Sequence, residues 1–477
     1  MFKNIRYAAP PVDGSIGHSC VQAAPNGLNL LGTGNQSPIG GVINQFLGGI
    51  PLPVFSGGSE DCLFLDVWYV YPIYVPGKAL KASSEKLPVV VFVYGGAYVF
   101  SSKNSMQPEL LFYDGTGLIS QSGNNIIFVA MNYRVGAFGF LAGTTMENEG
   151  TPNAGLWDQG GKLDPLFSKA ILLSPAFEYM WNRAGAVQKT FEAFARMTGC
   201  ASQGLMKQQY SGTFAVGPTP DGSYIRQLPV LELSTDNFWN IESLILSRTT
   251  AESNVFVKGL GQTDSGFTSF VDAIFPNYTQ AARITDKIGS FYAVSGQSKY
   301  KSQTDRVQAL LRDSSFICNI RHLTDSFGDS KVWNMRYGVS PGAKLGGKSW
   351  LENLAALITP GIGSLISGIS VALQSYFTNY ILTGDPNTNR KIFNLPPAIR
   401  WNHPDSQAEQ ISGVVSLGGW GFSTIRYTQD EKTACDFWRD IAAAVISLGG
   451  YSPPGAVVQQ SMVDVRDPSM KDNGGNR

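Results

Sequence analysis

The chain has 477 residues, 43% of them hydrophobic and 15% charged, with a formal net charge of zero. That charge content lies below the roughly 25% of an average soluble domain, and with no basic surplus to neutralise phosphates, nucleic acid is excluded as a favoured partner. The hydrophobic share is enough for a sizeable core, and length alone would divide the chain into about three domains, a prior that large α/β enzymes routinely break.

Taken from the start, residues 1–6 lack the apolar stretch and small-residue cleavage site of a signal peptide. The first sixty residues are rich in Gly, Pro, Asn and Gln and read as loop. Residues 62–70 read as a strand. Residues 87–94, Leu-Pro-Val-Val-Val-Phe-Val-Tyr, form a continuous β-branched run that stops at Gly95-Gly96, the pattern of a parallel strand buried on both faces. Further buried strands are expected at 126–133, 170–174 and 241–246. Helical spacing relates Val187, Phe191, Phe194, Ala195 and Thr198, and again Val307, Leu310 and Leu311. Strands alternating with helices give an α/β class with a mostly parallel sheet. Chemistry in such sheets sits at the carboxyl ends of strands, where Gly95-Gly96-Ala97 and the segment after Tyr133 fall.

Residues 353–384 carry no charge, but Pro360, Gly361, Gly363 and Gly368 interrupt them. Their apolar density is too low for a membrane span, and they read as a buried or interfacial helix pair. The five cysteines, Cys20, Cys62, Cys200, Cys318 and Cys435, are too widely spaced for a zinc or redox motif. One or two disulfides with a thiol left over is the expected state, in an oxidising compartment. The sequons Asn35-Gln36-Ser37 and Asn277-Tyr278-Thr279 agree with secretion.

Several collinear segments carry a resemblance. Ser59-Glu60-Asp61-Cys62-Leu63-Phe64-Leu65-Asp66-Val67, Tyr94-Gly95-Gly96-Ala97-Tyr98 and Asn132-Tyr133-Arg134-Val135-Gly136-Ala137-Phe138-Gly139-Phe140 resemble type-B carboxylesterases, the family of cholinesterases and fungal lipases, with the fungal branch nearest. Pro152-Asn153-Ala154-Gly155-Leu156-Trp157-Asp158-Gln159, Ile171-Leu172-Leu173-Ser174-Pro175-Ala176-Phe177 and Thr383-Gly384-Asp385-Pro386-Asn387 match in the same order. The resemblance implies a single α/β-hydrolase domain over 1–477, truncated at its N-terminus and internally. It also implies a secreted protein, an apolar ester or lipid substrate, and no cofactor or metal. It implies that Gly96 and Ala97 donate oxyanion-hole N–H groups while Gly95 permits the turn. It further implies an ion pair of Glu60 with Arg134 and a disulfide of Cys20 with Cys62.

The catalytic triad is another matter. The nucleophile belongs in G-x-S-x-G on an elbow between strand and helix; the one serine with Gly at both −2 and +2, Ser340 in Gly338-Val339-Ser340-Pro341-Gly342, falls in the stretch that runs on to Leu345 and not after Asp158-Gln159. A partial imitation, Gly368-Ile369-Ser370-Val371-Ala372, lies in the uncharged helical stretch without a preceding strand. In the family the elbow follows the Gly-Leu-x-Asp-Gln segment, whereas here Asp158-Gln159 runs directly into Gly160-Gly161. Roughly forty to fifty residues are therefore absent at this join, including the elbow strand, its helix and the third oxyanion donor. Glu252, in Thr250-Ala251-Glu252-Ser253-Asn254-Val255-Phe256, falls at the triad acid, with Ser253 in place of a usual Gly. Leu345 occupies the position of the triad histidine. Of the three histidines, His322 sits on a helix upstream, and His18 and His403 lie in loops. Without the internal strand, residues 170–174 either close against 87–94 or the sheet is left disrupted. The expectation is an ester-hydrolase relative that is inactive as written, and the alternative is a non-catalytic pseudo-hydrolase with a binding or adhesion role.

Overall fold

A computed structural model describes residues 2–8, 19–23, 56–69, 86–104, 115–160, 166–177, 179–196, 216–250, 252–253, 263–275, 283–294, 299–338, 369–388, 398–418, 421–427 and 432–449. Its strands in chain order are β1 (Phe2–Arg6), β2 (Gln22–Ala23), β3 (Ser56–Gly57), β4 (Phe64–Trp68), β5 (Val89–Val93), β6 (Ile127–Met131), β7 (Lys169–Leu173), β8 (Ser243–Thr249), β9 (Val332–Gly338), β10 (Val414–Gly418) and β11 (Gly421–Ile425). They form not one sheet but two main ones, in the orders β1-β4-β6-β5 and β11-β10-β9-β8-β7, beside the small β2-β3 pair. β1 was hidden in a segment that reads as loop. Its Arg6 grips Asp61 and lies 4.7 Å over the Phe64 ring, contacts between distant segments that no local pattern announces.

In the first sheet β5 runs parallel to β6, with Val89 opposite Ile127 and Val93 opposite Met131. The remaining pairs, β6 with β4 and β4 with β1, are antiparallel. In the second sheet β7, β8, β9 and β10 are parallel neighbours and only β11 turns back. Of the two outcomes left open for residues 170–174, closure against 87–94 does not occur among the described residues. Among the described residues β5 pairs only with β6 and β7 only with β8, so each ends its sheet with an unpaired edge.

Burial records the same break. β8 is buried at all seven positions, as a strand covered on both faces should be. β5 has an equally apolar sequence, yet alternate residues face solvent, with Val89 57%, Val91 55% and Val93 42% exposed. The expectation that β5 is buried on both faces is therefore corrected: one face has lost its cover.

The other face holds the two sheets together. Helix α1 (Thr116–Gln121) supplies Leu118 and Ile119 to a core that joins Phe128 of β6 with Ile245 of β8 and Trp333 and Met335 of β9. Other helices include α2 (Gln188–Arg196), α3 (Gln303–Arg312), α4 (Cys318–Phe327), α5 (Ile369–Thr383) and α6 (Lys432–Gly449), and it is α5 that seals this core with Leu373, Tyr376, Phe377 and Tyr380. Val90 and Phe92 of β5 and Ile171 and Leu173 of β7 lean on the same cluster. The uncharged stretch read from the sequence is thus, in its described part, a packed helix. No helix among the described residues is long and apolar enough to cross a membrane.

A second core lies around α6, where Trp438, Val445 and Ile446 meet Leu310 of α3 and Phe270. There Cys318 of α4 is bonded to Cys435 of α6, closing a separation of 117 residues. Cys20 and Cys62 form the other disulfide, and Cys200 lies outside the described residues. A cross-link over so long a loop acts mainly on the unfolded chain. The double variant Cys318→Ser/Cys435→Ser is expected to lose roughly 2–5 kcal/mol of unfolding free energy, read from urea denaturation, with its far-UV circular dichroism retained. An unchanged midpoint would contradict this assignment.

Candidate functional site

The carboxyl ends of β5, β7 and β8 converge on one region. After β5, Gly96 adopts φ +151°, and a Cβ there would lie 2.0 Å from the Phe100 carbonyl oxygen, so only glycine fits. Ala97 at φ +53° and Tyr98 at φ +66° continue in the left-handed region, a strained run for residues with side chains. The Gly96 carbonyl accepts from Val99 N–H at 3.0 Å and Phe100 N–H at 3.2 Å. The N–H groups of Gly96 and Ala97 donate to no described residue. Gly95 is exposed. The Tyr98 hydroxyl reaches across the break and donates to the Ala176 carbonyl beyond β7.

Ser174 ends β7 at φ +53°. Its N–H donates to the Ser247 carbonyl at 2.8 Å, and its hydroxyl donates to Glu252 Oε1 at 2.8 Å. Glu252 follows β8 and is almost fully buried. The same Oε1 also accepts the Thr249 N–H at 2.6 Å. Burial pushes the Glu252 carboxyl above its ordinary range, against the opposing pull of the Thr249 and Ser174 hydrogen bonds and of Arg248. Ser253, the departure from the family pattern, donates to the Gln308 carbonyl at 2.8 Å and so ties the Glu252 turn to α3.

No imidazole among the described residues is hydrogen-bonded to a serine. His403 Nδ1 lies 3.0 Å from the Val332 carbonyl, and its ring packs on Trp333. His322 is buried on α4 and lines a cavity of about 10 Å³ with Phe177, Tyr179, Ser314 and Asn319. Burial, with Arg439 and Arg321 nearby, lowers its pKa to about 3, so it is neutral over the working range. Position 345, His18 and both sequon asparagines lie outside the described residues. Among the described residues no three His, Cys, Asp or Glu side chains converge as a metal site.

The expected partner of Arg134 needs correction. Glu60 is exposed, and Arg134 instead grips Asp158 through Nε at 2.8 Å and Nη2 at 2.7 Å, with its own N–H adding a third bond at 2.9 Å. The neighbouring Asp61, buried where Glu60 is not, pairs with Arg6. The Glu-Asp dipeptide could not reveal which carboxylate turns inward. Asp158 lies one residue before Gln159, so this clamp pins the chain to the end of β6 just ahead of the join. Sequence reasoning also missed the Ser174–Glu252 pair. The only local signal was the Ser-Pro stop after the apolar run of β7.

Glu252 offers a test by pH. Its folded value is raised above the ordinary 4.5, so between those two values the native chain holds a proton that the unfolded chain has lost. This group's favourable contribution is complete at low pH and is lost as pH rises through that window. A glutamine in its place would keep the Oε1 acceptor without ever becoming charged. Glu252→Gln is therefore expected to unfold at a higher temperature than the parent near pH 7 and to converge with it below about pH 4.5. A variant that is destabilised equally at both pH values would contradict a buried, charge-penalised carboxyl.

Comparisons with known proteins bear on the family and the fold. The model of the carboxylesterase family matches residues 1–164. A secreted lipase of Arthroderma benhamiae is 33% identical over 450 positions, covering 83% of this chain and 85% of the lipase. Carboxylesterase patB of Penicillium expansum is 25% identical over 549 positions, covering 92% of each chain. That alignment is longer than the 477 residues present here, so the relative has positions with no counterpart in this chain. The crystal structure of Aspergillus niger EstA superposes with a TM-score of 0.64 at 20% identity, over 93% of this chain and 95% of EstA, and it shares the α/β-hydrolase fold. The chain belongs to the carboxylesterase family.

Proposed function

We propose that this chain retains parts of the framework of a carboxylic-ester hydrolase but does not hydrolyse esters. In the family's chemistry a serine attacks the ester carbonyl, a histidine takes the proton and returns it to the leaving alcohol, and water then releases the acyl group. Glu252 stands where the acid that orients the histidine belongs. Gly96 and Ala97 stand where two N–H groups meet the oxyanion, with Gly95 permitting the turn.

The observation that carries the reading is the break between β5 and β7, at the place in the fold where the elbow strand would lie, combined with the absence of G-x-S-x-G between β6 and β8; the one match in the sequence, Gly338-Val339-Ser340-Pro341-Gly342, comes at the end of β9. Leu345, at the position of the histidine, has no atom that can accept a proton. Glu252 meanwhile holds the hydroxyl of Ser174 instead of an imidazole. Ser174 is no substitute nucleophile, because its proton is directed to a carboxylate that burial already biases toward the neutral form. Triad members act as a unit, and losing the serine or histidine costs about as much as losing all three, on the order of 10⁶ in kcat.

The substrate class of the parent site is an apolar acyl ester or lipid, in keeping with the lipase and carboxylesterase relatives. Secretion is supported by the secreted lipase among them and by two disulfides. A pure binding or adhesion role would call for an intact sheet, and the unpaired edges of β5 and β7 speak against it.

The test is turnover of p-nitrophenyl butyrate by the purified chain, followed by intact mass after exposure to a serine-directed phosphonate. The expected result is hydrolysis no faster than buffer and no added mass. Turnover that the phosphonate abolishes, with one adduct per chain, would overturn the proposal. Sequencing the transcript across the codons of Gln159 and Gly160 adds a second readout, since a longer message encoding an elbow would place the lost activity in another product of the gene.

A further inference from the structure

The core around α6 holds a disulfide beside a hydrogen-bonded chain of side chains that can lose an electron. On α6, Cys435 and Trp438 are three positions apart, so their side chains are neighbours on one face. Both are buried in the cluster that also holds Cys318 and Tyr292. The Trp438 indole N–H donates to the Tyr292 hydroxyl oxygen at 2.7 Å, with the two rings 6.2 Å apart. The Tyr292 hydroxyl in turn donates to Asp313 Oδ2 at 3.0 Å. Asp313 Oδ1 accepts from Arg312, Nε at 2.8 Å and Nη2 at 2.7 Å. Asp313 opens a buried π-helical turn, Asp313–Ile317, between α3 and α4, an irregularity that recurs at functional sites. Trp438, Tyr292, Asp313 and both cysteines are each no more than 2% exposed.

Packing alone does not call for this arrangement, since a buried hydroxyl and carboxylate carry a desolvation cost that apolar side chains of similar volume avoid. Every donor in the chain points the same way, from indole to phenol to carboxylate, and the last group can take a proton. Burial raises the Asp313 pKa against the pull of Arg312 and Tyr292, so the carboxylate is a stronger proton acceptor than an exposed one. The other disulfide has no such neighbour. Among the described residues, the buried cluster of Cys20 and Cys62 contains Tyr94 and Tyr133 but no tryptophan.

We propose that Trp438, Tyr292 and Asp313 form a light-driven relay that opens the Cys318–Cys435 disulfide. An excited indole is a strong one-electron donor, and a disulfide is a one-electron acceptor. Excited Trp438 passes one electron to the disulfide, which leaves an indole radical cation and a disulfide radical anion. Tyr292 then gives one electron to the indole, and its hydroxyl proton moves along the existing hydrogen bond to Asp313 Oδ2. Trp438 is restored, and Tyr292 is left as a neutral radical. The S–S bond of the radical anion breaks into one thiolate and one thiyl radical. The electron gained by sulfur is the electron lost by Tyr292, the proton stays on Asp313, and no outside reductant enters. Without the Tyr292 step the electron returns to the indole cation and the bond survives. Opening removes the cross-link that ties α4 to α6 across 117 residues. The relay is independent of whether the chain cleaves esters.

Illumination in a Cys200→Ser background tests it, under argon and at the long-wavelength edge where indole absorbs and tyrosine does not. A maleimide traps the thiol, and peptide mass mapping locates it. The expected result is label on Cys318 or Cys435, none on Cys20 or Cys62, none in the dark, and a tyrosyl radical signal in samples frozen under light. Trp438→Phe should abolish the label. Trp239→Phe, at a residue 60% exposed in the parent, should leave it unchanged. Tyr292→Phe removes one oxygen and keeps the ring; it should lose the radical signal and lower the labelling severalfold. Circular dichroism of each variant before illumination checks folding, and Tyr292→Phe carries the test if Trp438→Phe does not fold. A parent chain that takes no label overturns the proposal. So does equal labelling of both disulfides, label that persists in a folded Trp438→Phe, or labelling that Tyr292→Phe leaves unchanged.

Discussion

A strand inside a parallel sheet makes two hydrogen-bond ladders, and here, among the described residues, β5 and β7 make one each. β5 stops the first sheet and β7 stops the second. Backbone groups on such edges must be solvated or find other partners, and the face of β5 that a helix would cover stands open at three valines. The molecule remains one body because the opposite face is intact. Val90, Phe92, Ile171 and Leu173 all rest on the cluster that α1 and α5 seal, and Tyr98 bonds across the gap to Ala176.

The same break governs the site. An ester-cleaving centre needs the oxyanion turn, the nucleophile and the acid brought to one sheet edge by neighbouring strands. The turn at Gly96 keeps the backbone that only glycine can adopt there, and Glu252 keeps a buried carboxyl beyond β8. Each is held by local bonds: the turn by the Gly96 carbonyl and the acid by Thr249 and Ser174. The Arg134–Asp158 clamp likewise ties the chain after β6 to the helical turn Ala154–Asp158.

How much of this was legible in the sequence depended on how local each feature is. The apolar runs of β4 to β8 announced strands, and no G-x-S-x-G follows Asp158-Gln159, where the family pattern has one. β5 and β8 look alike as sequence, yet one is half exposed and the other wholly buried. Only the neighbouring strand distinguishes them. β1 was invisible because its polar residues, Lys3, Asn4 and Arg6, break the alternation of a half-buried strand, and Arg6 is held by the distant Asp61 and Phe64. The choice of Asp158 over Glu60 as the partner of Arg134, and of Ser174 as the partner of Glu252, rests on which side chains the folded chain turns inward. No spacing rule encodes that choice.

The central claim is that the sheet ends at β5, and amide hydrogen exchange measures this residue by residue. Ile127 N–H donates to the Pro88 carbonyl at 2.9 Å, so alternate residues of β5 turn their backbone groups away from β6. The amides of Val91 and Val93 should therefore exchange nearly as fast as unstructured chain. Those of Val90 and Phe92 should be protected by β6, and that of Ile245 in β8 should be among the slowest. Protection of Val91 equal to that of Ile245 would mean that a strand lies against β5 after all, and would contradict the account.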